Sequence, residues 1–316
     1  MQQSARWPWF LSTCFALTCL LAVTGCSGTT TEARSAAQQA AGDRLTVVCT
    51  TTMIADLARN LVGDLADVRG IMKEGEDPHV YDVRPRDAEM IASGDVILLN
   101  GYHLEATLGH IIENNAEGKV VALAERAVSE PLSGADGLGA PDPHCWMNVE
   151  YFRGYAQHAR DGLMAADPAH ADVYQKNAET YFAELDKLHE WVQQQVATVP
   201  HERRVMITSH DAFEYLGHAY DIEVHGMIGI STEQAPRPQD IEKLEAVIRQ
   251  RGVRALFVET SVSQTLNNLI KKSAEATGVK IGGTLYSDSL GPDGTPEGTY
   301  LGMMRHNVQT IVAALK

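Results

Sequence analysis

One tripeptide occurs twice in this chain in a form suited to chemistry: Asp77-Pro78-His79 in EGEDPHVYDV and Asp142-Pro143-His144 in GAPDPHCWMN. In both copies a polar or glycine-rich approach leads to the histidine, and an aromatic residue follows within two positions. Proline fixes φ and removes a donor, so each imidazole leaves a stiff loop. Two imidazoles held this way, far apart in sequence, fit a metal site assembled by folding. Two further candidates stand directly after apolar, strand-like runs: His210 in TSH and Asp288 in YSD. Three imidazoles with one carboxylate suit zinc, manganese or iron, whereas calcium would need mostly oxygen ligands and copper(I) would want sulfur. The sequence has no HExxH motif and no EF-hand loop, and it lacks the paired CxxC of many structural zinc sites.

The neighbours of these four residues divide by spacing. Asp77 and Asp142 stand two residues before their histidines, placed to accept backbone N–H groups and stiffen the loops. That spacing suits a bond to the imidazole itself less well. Asp211 either braces the His210 loop or caps the helix DAFEYLG. Glu259, at the end of ALFVET, faces the same rim and either touches a ligand or closes a turn. Tyr81 and Trp146 are candidates for the walls, although core packing accounts for them too. His103 in NGYHLE reads as a rim histidine, and His218, His225 and His306 have no such context.

The elements that must position these residues alternate regularly. LTVVCTT, residues 67–72, DVILLNG and KVVAL read as strands, with helices between them, MIADLARNLVG ending at Gly63 being the clearest. Near-continuous apolar runs separated by helices indicate a mostly parallel sheet covered on both faces, with ligands beyond the carboxyl ends of the strands. Residues 129–143 are a loop without periodicity, and 149–164 is helical. From Pro168 to Pro200 no glycine or proline interrupts a pattern with Tyr174, Ala178, Tyr181, Leu185, Leu188 and Val192 at three- and four-residue spacing. A single helix there would span ~45 Å and act as a strut; two helices broken near His189 are the alternative. Four more strand–helix pairs follow, from RRVMITS to the final HNVQTIVAALK. The expected fold is therefore α/β, with two similar lobes of mostly parallel sheet joined by one long backbone helix.

The N-terminus is of a different kind. Arg6, an apolar run from Trp7 to Val23 and then Thr24-Gly25-Cys26 form the charged start, apolar centre and small-residue exit of an export signal, too short for a permanent membrane span. This gives a leader at 1–25, a tether at 26–43, a first lobe at 44–167, the linking helix at 168–200 and a second lobe at 201–316. Cys14 and Cys19 fall in the leader, which leaves Cys49 and Cys145 inside the fold as either one disulfide or two buried thiols. A formal net charge of -15 argues against a nucleic-acid partner, for which the phosphate backbone demands a basic face.

The stretches TTTMIADLARNLVGD, GEDPHVYDVRPRDAE, LLNGYHLE, DPHCWMNV, ERRVMITSHDAFEYLGHAY, ISTEQAP and IGGTLYSDSLG…GTYLGMMRHNVQTIV resemble the zinc- and manganese-binding lipoproteins of bacterial ABC transporters, the treponemal metal-binding lipoprotein and streptococcal surface adhesin type. VTGC resembles a lipobox with Cys26 as the lipidated residue. The resemblance runs from about residue 45 to the end. It implies a helical-backbone metal receptor in which His79, His144, His210 and Asp288 hold one divalent ion. It further implies a monomeric, extracytoplasmic, membrane-anchored solute-binding component that delivers the ion to a permease with its cytoplasmic ATPase, and no catalysis. Zinc-dedicated members often carry a histidine-rich loop in the first lobe, yet residues 129–141 contain no histidine. Manganese-dedicated members typically have glutamate where this chain has His210. The set resembles the treponemal branch, associated with both metals, and ligand softness favours zinc for the tighter complex, with iron also accommodated. Two other readings compete: a surface adhesin, and a metal-dependent hydrolase with Glu259 as its base.

Overall fold

The computed structural model describes residues 44–134 and 139–316. The leader, Cys26 and the tether lie outside these residues.

The first lobe begins with β1 (Leu45–Cys49), α1 (Thr52–Val62), β2 (Ala66–Gly70) and α2 (Pro85–Ser93). It continues with β3 (Val96–Leu99), α3 (Ala106–Asn115), β4 (Lys119–Ala122) and the short α4 (Leu123–Ala127). Helix α1 forms because Met53, Ile54, Leu57, Ala58 and Leu61 share one buried face. The Thr51 hydroxyl accepts the Ile54 N–H at its start, and Gly63 ends it at a φ of 53°. The four strands are all parallel in the order β2-β1-β3-β4.

After α5 (Val149–Ala166) and α6 (Ala171–Ala197) the pattern restarts. The second lobe has β5 (Val205–Thr208), α7 (Glu214–Tyr220), β6 (Glu223–Gly226) and α8 (Pro238–Arg251). Then come β7 (Ala255–Glu259), α9 (Gln264–Thr277), β8 (Lys280–Leu285) and α10 (Tyr300–Leu315). Its sheet is again parallel, in the order β6-β5-β7-β8. The two halves thus share one topology without sharing a sequence repeat. In each, the chain leaves the first strand for one side and crosses to the other. That switch point opens a crevice beyond the carboxyl ends of the strands.

The long helix α6 runs unbroken through His189. Its regular part is 27 residues, about 40 Å, and begins three residues later than Pro168 because Pro168–His170 forms a 3-10 turn. Tyr174, Ala178, Tyr181, Leu185, Leu188 and Val192 are all buried along it. They belong to one apolar cluster that takes in Val47 and Leu57 of the first lobe and Met206, Phe257 and Ile311 of the second. The lobes therefore share a core rather than hang on a flexible linker. Phe152 stacks on Tyr300 with centroids 3.6 Å apart, and the Asp56 carboxylate accepts the Tyr300 N–H at the start of α10 at 2.9 Å.

One strand boundary is corrected and two local details are settled by the structure. Helix α3 starts at Ala106, just after Tyr102 and His103 take left-handed φ values of 51° and 62°. The buried Glu105 carboxylate accepts the Asn100 and Gly101 N–H groups and holds that turn. The second strand is Ala66–Gly70 rather than 67–72, since Ile71 and Met72 already bond to the carbonyls of Cys49 and Thr50 beyond the ladder. Cys49 and Cys145 are both buried free thiols, and burial pushes each up to about 12.

Candidate metal centre

His210 and Asp288 sit just past the ends of β5 and β8, while His79 lies between β2 and α2 and His144 between α4 and α5. His79 lies in a 3-10 turn, Pro78–Val80, after β2; Pro78 supplies the fixed φ and Asp77 Oδ1 accepts the His79 N–H at 2.9 Å. His144 precedes a second such turn, Cys145–Met147, and Asp142 Oδ1 accepts its N–H at 2.9 Å. His210 follows β5, and its N–H donates to Glu259 Oε1 at 2.9 Å from the end of β7. Asp288 follows β8, its N–H directed to Ser261 Oγ at 3.2 Å.

These loops bring the four side chains together from both lobes, with one ligand-type atom from each lying within 4.8 Å of every other. His79 Nε2 and His144 Nε2 are 3.2 Å apart. Asp288 Oδ2 is 3.1 Å from His210 Nε2, and its Oδ1 is 3.5 Å from His144 Nε2. A tetrahedral ion with bonds of ~2.0–2.1 Å separates its ligand atoms by about 3.3 Å, so these distances match the edges of such a polyhedron. His144 and His210 have no exposure and Asp288 only 2 %, while His79 is half-buried at the mouth. No well-aligned hydrogen bond reaches His210 Nε2 or either carboxylate oxygen of Asp288 among the described residues. Buried polar atoms left this way are what a bound cation would satisfy.

The outer nitrogens are handled separately. His144 Nδ1 is 2.6 Å from Asp142 Oδ1, and His210 Nδ1 is 2.6 Å from Glu259 Oε2. A carboxylate facing Nδ1 keeps the proton there and turns the Nε2 lone pair inward, the tautomer a metal requires. The spacing argument disfavoured a bond from Asp142 to its own imidazole. The bond forms nonetheless: the His144 ring folds back over the carboxylate two residues before it. Asp77 behaves as expected and touches only the His79 backbone within its loop.

Charge follows geometry. Burial, the largest influence, lowers His79 to about 3, so it is neutral and available. Burial alone would raise Asp288, but His210 and then His144 and His79 hold it well below the usual carboxylate range. For His210 burial is outweighed by Glu259 and Asp288, which push it well above its ordinary value. Two carboxylates facing one imidazole favour its protonated form, and a bound cation would take the place of that proton.

The remaining candidates fall into place around this centre. Trp146 is a wall, its ring 5.2 Å from that of His144, and its Nε1 donates across to Ser287 O at 3.1 Å. Tyr81 instead donates to Asp87 at 3.0 Å and packs with Val48, Ile71 and Ile97 on the far face of the first sheet. Asp211 is not the cap of α7, which begins at Glu214 with Phe213 at the N-cap. It lies beside Glu214, which burial and then Asp211 and Asp142 push up to about 7. His103 is exposed, as a rim residue would be. Sequence reasoning missed Ser261 and Ser287, whose hydroxyls pair at 2.8 Å under Asp288, and Asn100, which donates to Pro143 O at 3.0 Å. Serine and asparagine in strand-end loops carry no distinguishing signal by type.

A two-lobed α/β fold on a shared helical core, with three imidazoles and a carboxylate converging in the cleft, defines a receptor for a small cation. The chain belongs to the family described as the periplasmic zinc-uptake complex component A (ZnuA), whose profile matches residues 47–314. It is 38% identical over 298 residues to the manganese-binding lipoprotein MntA of Bacillus subtilis (strain 168), covering 93% of this chain and 95% of that one. It is 32% identical over 281 residues to the manganese ABC transporter substrate-binding lipoprotein PsaA of Streptococcus anginosus, covering 87% of this chain and 90% of the other. The solved structure of the periplasmic zinc binding protein TroA from Treponema pallidum superposes with a TM-score of 0.82 at 37% identity, over 86% of this chain and 99% of that chain.

Proposed function

We propose that this chain is the extracytoplasmic substrate-binding component of a metal ABC transporter. It captures one divalent transition-metal ion between His79 and His144 of the first lobe and His210 and Asp288 of the second. It then hands the ion to a membrane permease driven by a cytoplasmic ATPase. The observation that carries the reading is the convergence of those four side chains, each offering a ligand-type atom within 4.8 Å of the others. Relatives whose names specify manganese, and a structural neighbour whose name specifies zinc, support both cargoes. Imidazole-rich ligation favours zinc for the tighter complex. Titrating metal-stripped protein by calorimetry should give one site per chain, with zinc tighter than manganese. Absence of heat for both ions would remove the reading.

The metallohydrolase reading loses its base. Glu259, the carboxylate it needs, is 2 % exposed and already occupied by the His210 N–H and Nδ1. A pure adhesin would have no use for a buried cation cleft.

Attachment to the membrane through a lipidated Cys26 is part of the same proposal. It rests on the VTGC sequence and on the lipoprotein relatives. Cys26→Ser should move the protein from the membrane to the soluble exported fraction on cell fractionation; a parent protein already soluble would contradict it.

A further inference from the structure

The ISTEQAP stretch has no part in the site as described, yet it crosses the cleft. It follows β6, and its approach is bonded to the loop that carries His210. The Met227 N–H donates to Thr208 O at 3.0 Å, the Ile228 N–H to Ser209 O at 3.3 Å and the Asp211 N–H to Gly229 O at 3.3 Å. Gly226 permits this crossing, since a Cβ there would lie 2.5 Å from Ile228 O and 2.7 Å from the Asp211 nitrogen. The segment then leaves its own lobe. Ile230 rests on Gly134 in the loop that leads to His144, where an added Cβ would come 3.0 Å from its Cγ2. Two residues on, the Thr232 hydroxyl donates to Asp77 Oδ2 at 2.5 Å. The other oxygen of that carboxylate is the one that accepts the His79 N–H.

We propose that residues 227–237 form a strap in which Thr232, acting through Asp77, positions His79 across the cleft. The inference rests on the metal-binding reading above and extends it to a residue outside the ligand set. The need for such a device is visible in the site. His144 and His210 each have a carboxylate oxygen 2.6 Å from Nδ1, whereas among the described residues no carboxylate is seen paired with His79. His79 is also the one of the four that is not fully buried. Its orientation therefore depends on its backbone, which Asp77 fixes, and Asp77 is fixed in turn from the opposite lobe. Thr232 is a positioning residue, and its loss acts first on how long an ion is held.

Thr232→Val keeps the shape of the side chain and removes the hydroxyl, while Thr232→Ser keeps the hydroxyl. Zinc release from the loaded protein into excess chelator, followed by stopped flow, should be about tenfold faster for Thr232→Val, the scale of one hydrogen bond to a charged acceptor. Thr232→Ser should stay within about twofold of the parent. Hydrogen exchange of the segment spanning residues 77–80, measured on metal-free protein, should rise in the valine variant and not in the serine one. This second readout needs no ion. A parent that binds no zinc therefore removes the metal reading while the strap is still decided by exchange. Parent-like release and exchange in Thr232→Val, or a serine variant as fast as the valine one, would overturn the proposal.

Discussion

Asp288→Ala should weaken manganese binding by at least about a hundredfold and zinc binding by less, with the fold intact. Partners outside the ligand set are already worth 10–100-fold at metal sites, so loss of a direct ligand sets a higher floor. Manganese depends more on oxygen donors than zinc does, and Asp288 supplies the carboxylate in this set. The fold should survive because the Asp288 N–H, not its side chain, makes the bond to Ser261, and the Trp146 link goes to the Ser287 carbonyl. His210→Ala should have the opposite bias, costing zinc at least as much as manganese. Affinities of both variants for both ions, by competition with a chromogenic chelator, check this. An Asp288→Ala protein that binds both metals like its parent would remove Asp288 from the site and leave three histidines.

Zinc should also raise thermal stability by roughly 10 °C. An ion that binds the assembled cleft and not the unfolded chain stabilises by about 4 kcal/mol at a free concentration of ~1,000 Kd. For a domain of this size each kcal/mol moves Tm by about 2–4 °C. The effect should be cooperative across both lobes, because the shared core makes them unfold together: Leu57, Leu188 and Phe257 belong to one cluster. A scan of metal-stripped protein with increasing free zinc should show one transition moving upward. Two transitions, only one of them moving, would mean that the ion is held by a single lobe.

The strand–helix alternation was legible because buried parallel strands are near-continuous apolar runs, and Val96–Leu99 and Val205–Thr208 could hardly be read otherwise. The long helix was legible from its unbroken spacing, His79 and His144 from the repeated Asp-Pro-His tripeptide, and His210 and Asp288 from their place after apolar strand-like runs. What remained hidden depends on backbone angles and tertiary approach. Nothing in the sequence says that Tyr102 and His103 turn left-handed before α3, or that the His144 ring folds onto Asp142. The opposite fates of Asp77 and Asp142 make the point: identical tripeptides, yet one carboxylate grips its own imidazole and the other reaches the far lobe. Ser261 and Thr232 were invisible as functional residues because hydroxyls in loops are common and only folding shows which ones meet a carboxylate or its support.

The most direct test of the central claim is the anomalous diffraction signal of a zinc-loaded crystal, collected across the zinc edge. One strong peak is expected per chain, about 2.0–2.2 Å from Nε2 of His79, His144 and His210 and from a carboxylate oxygen of Asp288. A peak coordinated from one lobe alone, or located away from these four residues, would contradict the account of an ion held between the lobes.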